Sequence, residues 1–134
     1  MVFYYYITVN IMVYLGIDYG LKRVGLALAE GTLASPLEVL KNDNKLCEKV
    51  AKRCSQLGVE KVVIGLPEGK IALKVRNFAH QLERQLALPI DFEPETLTTQ
   101  EAIAKMIESG KSRKSRQQDK DSWAAALILQ NYLE

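Results

Sequence analysis

Residues 14–30 read YLGIDYGLKRVGLALAE, and this stretch decides how the rest of the chain is read. An apolar run enters at Tyr14, reaches Asp18, reverses over Gly20, Lys22 and Arg23, and returns as a second apolar run from Val24 to Ala29. Aliphatic arms on either side of a glycine-containing reversal predict a β-hairpin with an acid near its tip. Packing does not call for that acid. A carboxylate inside an apolar strand is costly to bury unless a cation or hydrogen-bond donors compensate it. Asp18 is therefore either a turn acid bonded to nearby backbone or a metal-binding or catalytic carboxylate. Lys22 and Arg23 beside it are placed to steer or neutralise a phosphate, or are turn residues in water.

Working outward, 134 residues suffice for one core and are short for two, so a single domain spanning 1–134 is expected. Hydrophobic residues at 48% and charged residues at 25% exclude disordered and collagen-like classes. A net charge of +2 is too small for the whole-molecule field to draw the chain onto nucleic acid, so such affinity has to come from local clusters. Cys47 and Cys54 fall seven apart in a helical pattern, about 10 Å along one helix and beyond disulfide reach. Two buried reduced thiols and a single histidine, His80, build no soft-metal site and suit a cytoplasmic protein. His80 has no partner acid in evident reach and reads as a surface residue. The opening MVFYYYITVNI lacks a basic n-region and is shorter than the roughly 20 residues of a membrane span. Residues 1–12 are expected to be an N-terminal extension with Met12 as the working start, the competing reading being an added edge strand.

Beyond the hairpin, Ser35-Pro36 and LEVL predict a third strand with Pro36 at its start. Leu46, Val50, Cys54 and Leu57 recur at helical spacing and Gly58 closes that helix. KVVIGLP reads as a buried strand ending near Gly65 and opening into a glycine-containing turn. A helix with Val75, Phe78, Ala79, Leu82 and Leu86 on one face follows. Ile90 to Glu93 then gives a strand stopped by Pro94, and Thr98-Thr99-Gln100-Glu101 is a capping box opening a helix to Gly110. KSRKSRQQDK, residues 111–120, has no apolar residue and reads as a mobile loop. A last helix starts at Asp121, with Trp123 as a core anchor. The order βββαβαβα plus a C-terminal helix predicts an α/β fold: a mixed five-stranded sheet with helices on its faces.

Ligand chemistry in such sheets gathers at the carboxyl ends of central strands. Asp18 on the first strand, Glu95 after the last and Asp121 at the start of the final helix can meet there, with Asp119 as an alternative third acid. Three carboxylates in close proximity repel one another, and a hard divalent cation with oxygen ligands relieves this. Two such ions about 4 Å apart can hydrolyse a phosphodiester. Glu95 and Asp121 also read plausibly as solvated surface acids. Lys111, Arg113, Lys114 and Arg116, just ahead of Asp121, form a basic arm suited to flanking phosphates.

The sequence resembles the YqgF/RuvX family of the ribonuclease H-like superfamily, whose members are described as Holliday junction resolvases and pre-16S rRNA nucleases. LGIDYGLKRVGLAL resembles its opening motif, VVIGLP its central strand, ETLTTQEA its second acidic motif and DSWAAALILQNYL its closing helix. The likeness covers Val13 to Leu133. It implies a ribonuclease H-like fold, a catalytic and metal-binding triad of Asp18, Glu95 and Asp121, Mg2+ or Mn2+ as cofactor, and a structured nucleic acid as substrate. Processing of the pre-16S rRNA 5′ end is the preferred substrate assignment and branched DNA the alternative. A resolvase implies a homodimer making paired cuts, whereas RNA trimming needs only a monomer. Pro94 and Thr96 stand where the family usually has Asp and Arg, which removes a planar phosphate-binding fork and leaves a catalytically weak nucleic-acid-binding module as a third reading. The actin-type ATPases share a GIDxG hairpin, but their second phosphate motif and greater length are missing here.

Overall fold

The computed structural model describes residues 11–95 and 113–134, with side chains from residue 120 onward in the second stretch. The expectations for residues 1–10, for the helix from Thr98 to Gly110 and for Lys111 lie outside the described residues. Five strands, β1 (Val13–Tyr19), β2 (Arg23–Glu30), β3 (Ala34–Lys41), β4 (Lys61–Leu66) and β5 (Ile90–Pro94), form one sheet in the order β3-β2-β1-β4-β5. The first three strands make an antiparallel meander, and β4 and β5 add in parallel on the other side of β1. The mixed five-stranded sheet is as expected, with the hairpin's first arm at its centre.

Pro36 falls inside β3 rather than at its start. Its register with β2 slips between Leu26 and Ala27. An edge strand with a bulge is where a residue without an N–H costs no central ladder bond.

Strand alternation divides the core. Leu15, Ile17, Val24, Leu26, Val62 and Ile64 point to one face, where α1 (Leu46–Leu57) and α2 (Ile71–Gln85) cover them with Leu46, Val50, Val75, Phe78 and Leu82. Gly58 closes α1 in the left-handed region at φ 66°, with Val59 N–H bonded back to Cys54 O at 3.0 Å. Cys54 is buried and Cys47 half-buried; both are free thiols, and burial pushes Cys54 up to about 11, which keeps it an inert thiol.

The opposite face is built of small residues. Ala27, Ala29 and Val63 meet Ala125, Ala126 and Leu129 of α3 (Arg113–Leu133). Gly16, Gly25 and Gly65 lie under the same helix, and a Cβ on Gly16 would stand 2.8 Å from Leu129 Cβ. Small residues on both partners let the helix axis sit low on the sheet. Several bonds then hold α3 in place. Gln130 accepts from Ala34 N–H at 2.9 Å and donates to Thr32 O at 3.0 Å. The Tyr132 hydroxyl donates to Asp91, which also pairs with Lys61 at 2.8 Å.

The final helix begins at Arg113, not at Asp121, so the predicted loop over 111–120 is corrected over the part described. Lys, Arg and Gln are good helix formers that need no apolar face once a buried segment nucleates the helix. The missing apolar periodicity therefore did not mark a break in the helix. Trp123 is half-buried, while Ala124, Ala125, Ala126, Ile128 and Leu129 carry the burial. His80 is exposed as expected, but Glu83 one turn on does lie within 3.9 Å of it.

Candidate active site

Asp18 is the next-to-last residue of β1 and, by alternation, faces α3. Glu95 directly follows β5, its N–H donating to Leu66 O at 3.1 Å, so it stands at the carboxyl end of the parallel strands. Between them lies β4, and the residue that β4 presents there is Gly65. A Cβ on Gly65 would sit 2.9 Å from Glu95 Oε1. The bare backbone at Gly65 is thus the gap through which the Glu95 side chain reaches Asp18, and the two carboxyl groups are hydrogen-bonded.

Asp121 arrives from the helix side. Gly25 is the residue of β2 directly opposite Asp18. Its missing side chain admits the backbone of Asp121 and Ser122, and a Cβ there would land on the Asp121 carbonyl oxygen. The Asp121 side chain is 20% exposed and bonds Arg23 Nε at 3.0 Å. Asp121 is eight residues into α3, so no helix N-terminus faces its carboxylate.

The electrostatics follow from this crowding. Asp18 is raised to about 8, first by burial, then by the charge and hydrogen bond of Glu95 and by the charge of Asp121; Lys120 acts in the opposite direction. At neutral pH Asp18 therefore stays largely protonated while no cation offsets its burial and its acidic neighbours.

Among the described residues, no three acidic, histidine or cysteine side chains are close enough to hold an ion as they stand. Arg23 engages Asp121 at 3.0 Å, while Asp18 and Glu95 lie within hydrogen-bond reach of each other. The donor set nevertheless suits a hard divalent cation: Asp18, Glu95 and Asp121 offer carboxylate oxygens, and the burial and mutual repulsion that raise Asp18 are what a bound cation would offset.

The structure thus brings together Asp18, Glu95, Asp121 and Arg23. Lys22 is exposed at the hairpin tip, two positions beyond Gly20. The side chains of Arg113, Lys114, Arg116 and Asp119 lie outside the described residues. Sequence reasoning missed that Gly25 and Gly65 make room for the acids, and it counted Lys120 only as part of the basic run before Asp121, not as the cation that favours ionised Asp18. Their signal was present: glycines interrupt otherwise aliphatic strands at positions facing one helix.

A profile of the family described as RuvX, Holliday junction resolvase, matches residues 12–134. A Lactococcus lactis subsp. cremoris protein named "Putative pre-16S rRNA nuclease" is 36% identical over 132 residues, covering 90% of this chain and 92% of the relative. A Moorella thermoacetica protein of the same name is 36% identical over 130 residues, covering 90% and 93%. Among solved structures, T. thermophilus RuvC in complex with a Holliday junction substrate superposes with a TM-score of 0.59 at 20% identity, over 87% of this chain and 91% of that one. The fowlpox virus Holliday junction resolvase gives 0.56 at 12% identity, over 91% and 98%. These two share the fold, a β-meander extended by parallel strands. With a profile match over nearly its whole length and relatives more than one-third identical, this chain belongs to the RuvX family.

Proposed function

We propose that this protein is a divalent-metal-dependent nuclease of the cytoplasm that hydrolyses phosphodiester bonds at the 5′ end of pre-16S rRNA, with Asp18, Glu95 and Asp121 as its catalytic acids. The observation that carries the reading is the hydrogen-bonded Asp18–Glu95 pair, with Asp121 beside it, at the carboxyl ends of β1 and β5. Relatives at 36% identity over most of their length carry the pre-16S rRNA nuclease name. No helix among the described residues is long and apolar enough to cross a membrane.

Asp18, Glu95 and Asp121 would hold the ion, Mg2+ or Mn2+. When bound, a hard cation supplies Lewis-acid stabilisation of the charge that develops on the phosphodiester. The rest belongs to the protein. Asp18 would have to lose its proton before an ion is held, so ion loading should become easier as pH rises toward 8. Arg23 bonds Asp121 through Nε, which leaves the terminal guanidinium nitrogens to approach a phosphate. Lys22, Lys111, Arg113, Lys114 and Arg116 supply charge for flanking phosphates.

A second reading, cleavage of four-way DNA junctions, is favoured by the family's description and by the likeness to resolvases, and asks for a homodimer. Purified protein offered a pre-16S 5′ leader and a four-way junction side by side, with magnesium, manganese or chelator, separates the two. Cleavage of the leader alone is expected. Cleavage of neither, with any ion, refutes the nuclease reading and leaves a binding module.

A further inference from the structure

On the sheet face opposite the acids, a cleft of about 430 Å3 opens between the start of α1 and the polar side of α2. This is the size range of small-ligand sites. Its floor is aromatic: Tyr19 and the buried Phe78 stack with ring centroids 4.9 Å apart and planes 32° apart. Lys74, Asn77, Gln81 and Arg84 follow one another at three- and four-residue spacing, so one stripe of α2 offers two amides between two cations. Across the cleft, Asn42 and Asn44 add further amides. The Gln81 carbonyl oxygen accepts a bond from Cys47 Sγ at 3.8 Å, tying this amide to α1. The same stripe continues into a neighbouring hollow at His80.

Two features join this cleft to the acids. Tyr19 directly follows Asp18 in β1, so adjacent residues of one strand face the cleft and the proposed catalytic centre. Asn42 bonds the hairpin turn twice, by Nδ2 to Gly20 O at 2.7 Å and by its N–H to Lys22 O at 2.9 Å. A strand laid over the end of β1 can therefore reach both faces.

We propose that this cleft binds a nucleotide of the substrate's single-stranded flank. The base stacks toward Tyr19, the amides of Asn77 and Gln81 meet its hydrogen-bonding edge, and Lys74 and Arg84 take the adjoining phosphates. Flat aromatic surface with cations alongside is the arrangement that holds unpaired bases, and amides supply both donors and acceptors for a base edge. The identity of the ligand as part of a nucleic acid rests on the nuclease reading above.

The test uses the full chain and the four 5′-nucleoside monophosphates, followed by NMR of the side-chain amides, with inorganic phosphate as competitor. Saturable shifts of the Asn77 and Gln81 amides are expected, and phosphate at equal concentration should leave them in place. The double variant Asn77→Ala/Gln81→Ala, at two exposed positions, should keep its melting temperature and bind at least tenfold more weakly. The single variant Asp18→Asn should bind as the parent does, which separates this proposal from the nuclease reading: a protein that cuts nothing but shows these shifts still has the site. Shifts confined to other residues, full displacement by phosphate, or undiminished binding by the double variant overturns it.

Discussion

Replacing Gly65 by Ala tests whether the gap in β4 is what allows the acids to meet. The new methyl would lie 2.6 Å from Ile128 Cδ1 and 2.9 Å from Glu95 Oε1. Carbon atoms prefer about 3.5–4.0 Å, so the Ile128 methyl has to retreat by roughly 1 Å. Both obstacles are far ends of flexible side chains, and rotamer changes can relieve them at about 1–3 kcal/mol, the usual range for overpacking. In a domain of this size that corresponds to a fall in melting temperature of roughly 3–12 °C. The Glu95 carboxylate has no such freedom if it is to stay on Asp18, because the methyl occupies its path. The folded variant should therefore lose the Asp18–Glu95 bond, and Asp18 should titrate below 8 with burial and Asp121 left as causes. Cleavage should fall by at least 10²-fold, the scale seen when a catalytic group is misplaced by about 1 Å. Thermal melts, carboxyl NMR titration and single-turnover cleavage read the three effects. Gly25→Ala is the contrast: its methyl meets the backbone of Asp121, which no rotamer change relieves, so the stability loss should be larger. A folded Gly65→Ala protein that cuts at the parent rate would refute the reasoning.

Asp18→Asn should abolish cleavage while the protein stays folded. Because Asp18 is raised above its ordinary 3.8, the folded state binds more protons than the unfolded chain between pH 4 and 8, so the parent loses stability as pH rises through that window. Denaturant melts of Asp18→Asn should show that slope flattened, and an unchanged slope would mean that Asp18 is not the group holding the proton. Arg23→Ala should cost less than about 1 kcal/mol, since the arginine side chain is 55% exposed. It should tighten Mg2+ binding by freeing Asp121, and calorimetry showing weaker binding would contradict this. Changing Arg113, Lys114 and Arg116 together to Ala should weaken nucleic-acid affinity and flatten its dependence on log salt by up to about 2–3 slope units, with saturated turnover little changed. An identical salt slope would remove these residues from the interface.

The sheet was legible because its strands announce themselves twice, by β-branched and aliphatic runs and by the glycines and prolines that bound them. Val62, Val63 and Ile64 are buried on both sides, as an unbroken apolar run in a parallel strand requires. Where reading failed, the local signal was overridden by tertiary context. Residues 113–120 carry no apolar period, yet they belong to the same helix whose Ala124, Ala125, Ala126, Ile128 and Leu129 are buried against the sheet. Pro36 looked like a strand start because ladder arithmetic forbids it centrally, and the edge position with its register slip lifts that prohibition.

The candidate site was legible as three acids and illegible as an arrangement, for a definite reason. Charge and strand position make Asp18, Glu95 and Asp121 candidates and the family resemblance selects them, but what makes room for them is the absence of atoms at Gly25 and Gly65. A glycine in a strand looks like a weakness until the helix or side chain that fills its place is known. The same applies to Arg23, read from sequence as a phosphate contact and found bonded to Asp121. That bond makes the hairpin tip and α3 one unit: the turn carrying Lys22 and Arg23 is tied to the helix through Asp121 and to the opposite face through Asn42. Under the two proposals above, substrate at either face would bear on the same short turn. The Arg23–Asp121 bond would then couple the placement of Asp121 to what the hairpin touches, and residues 18–25 would read the substrate together with the acids.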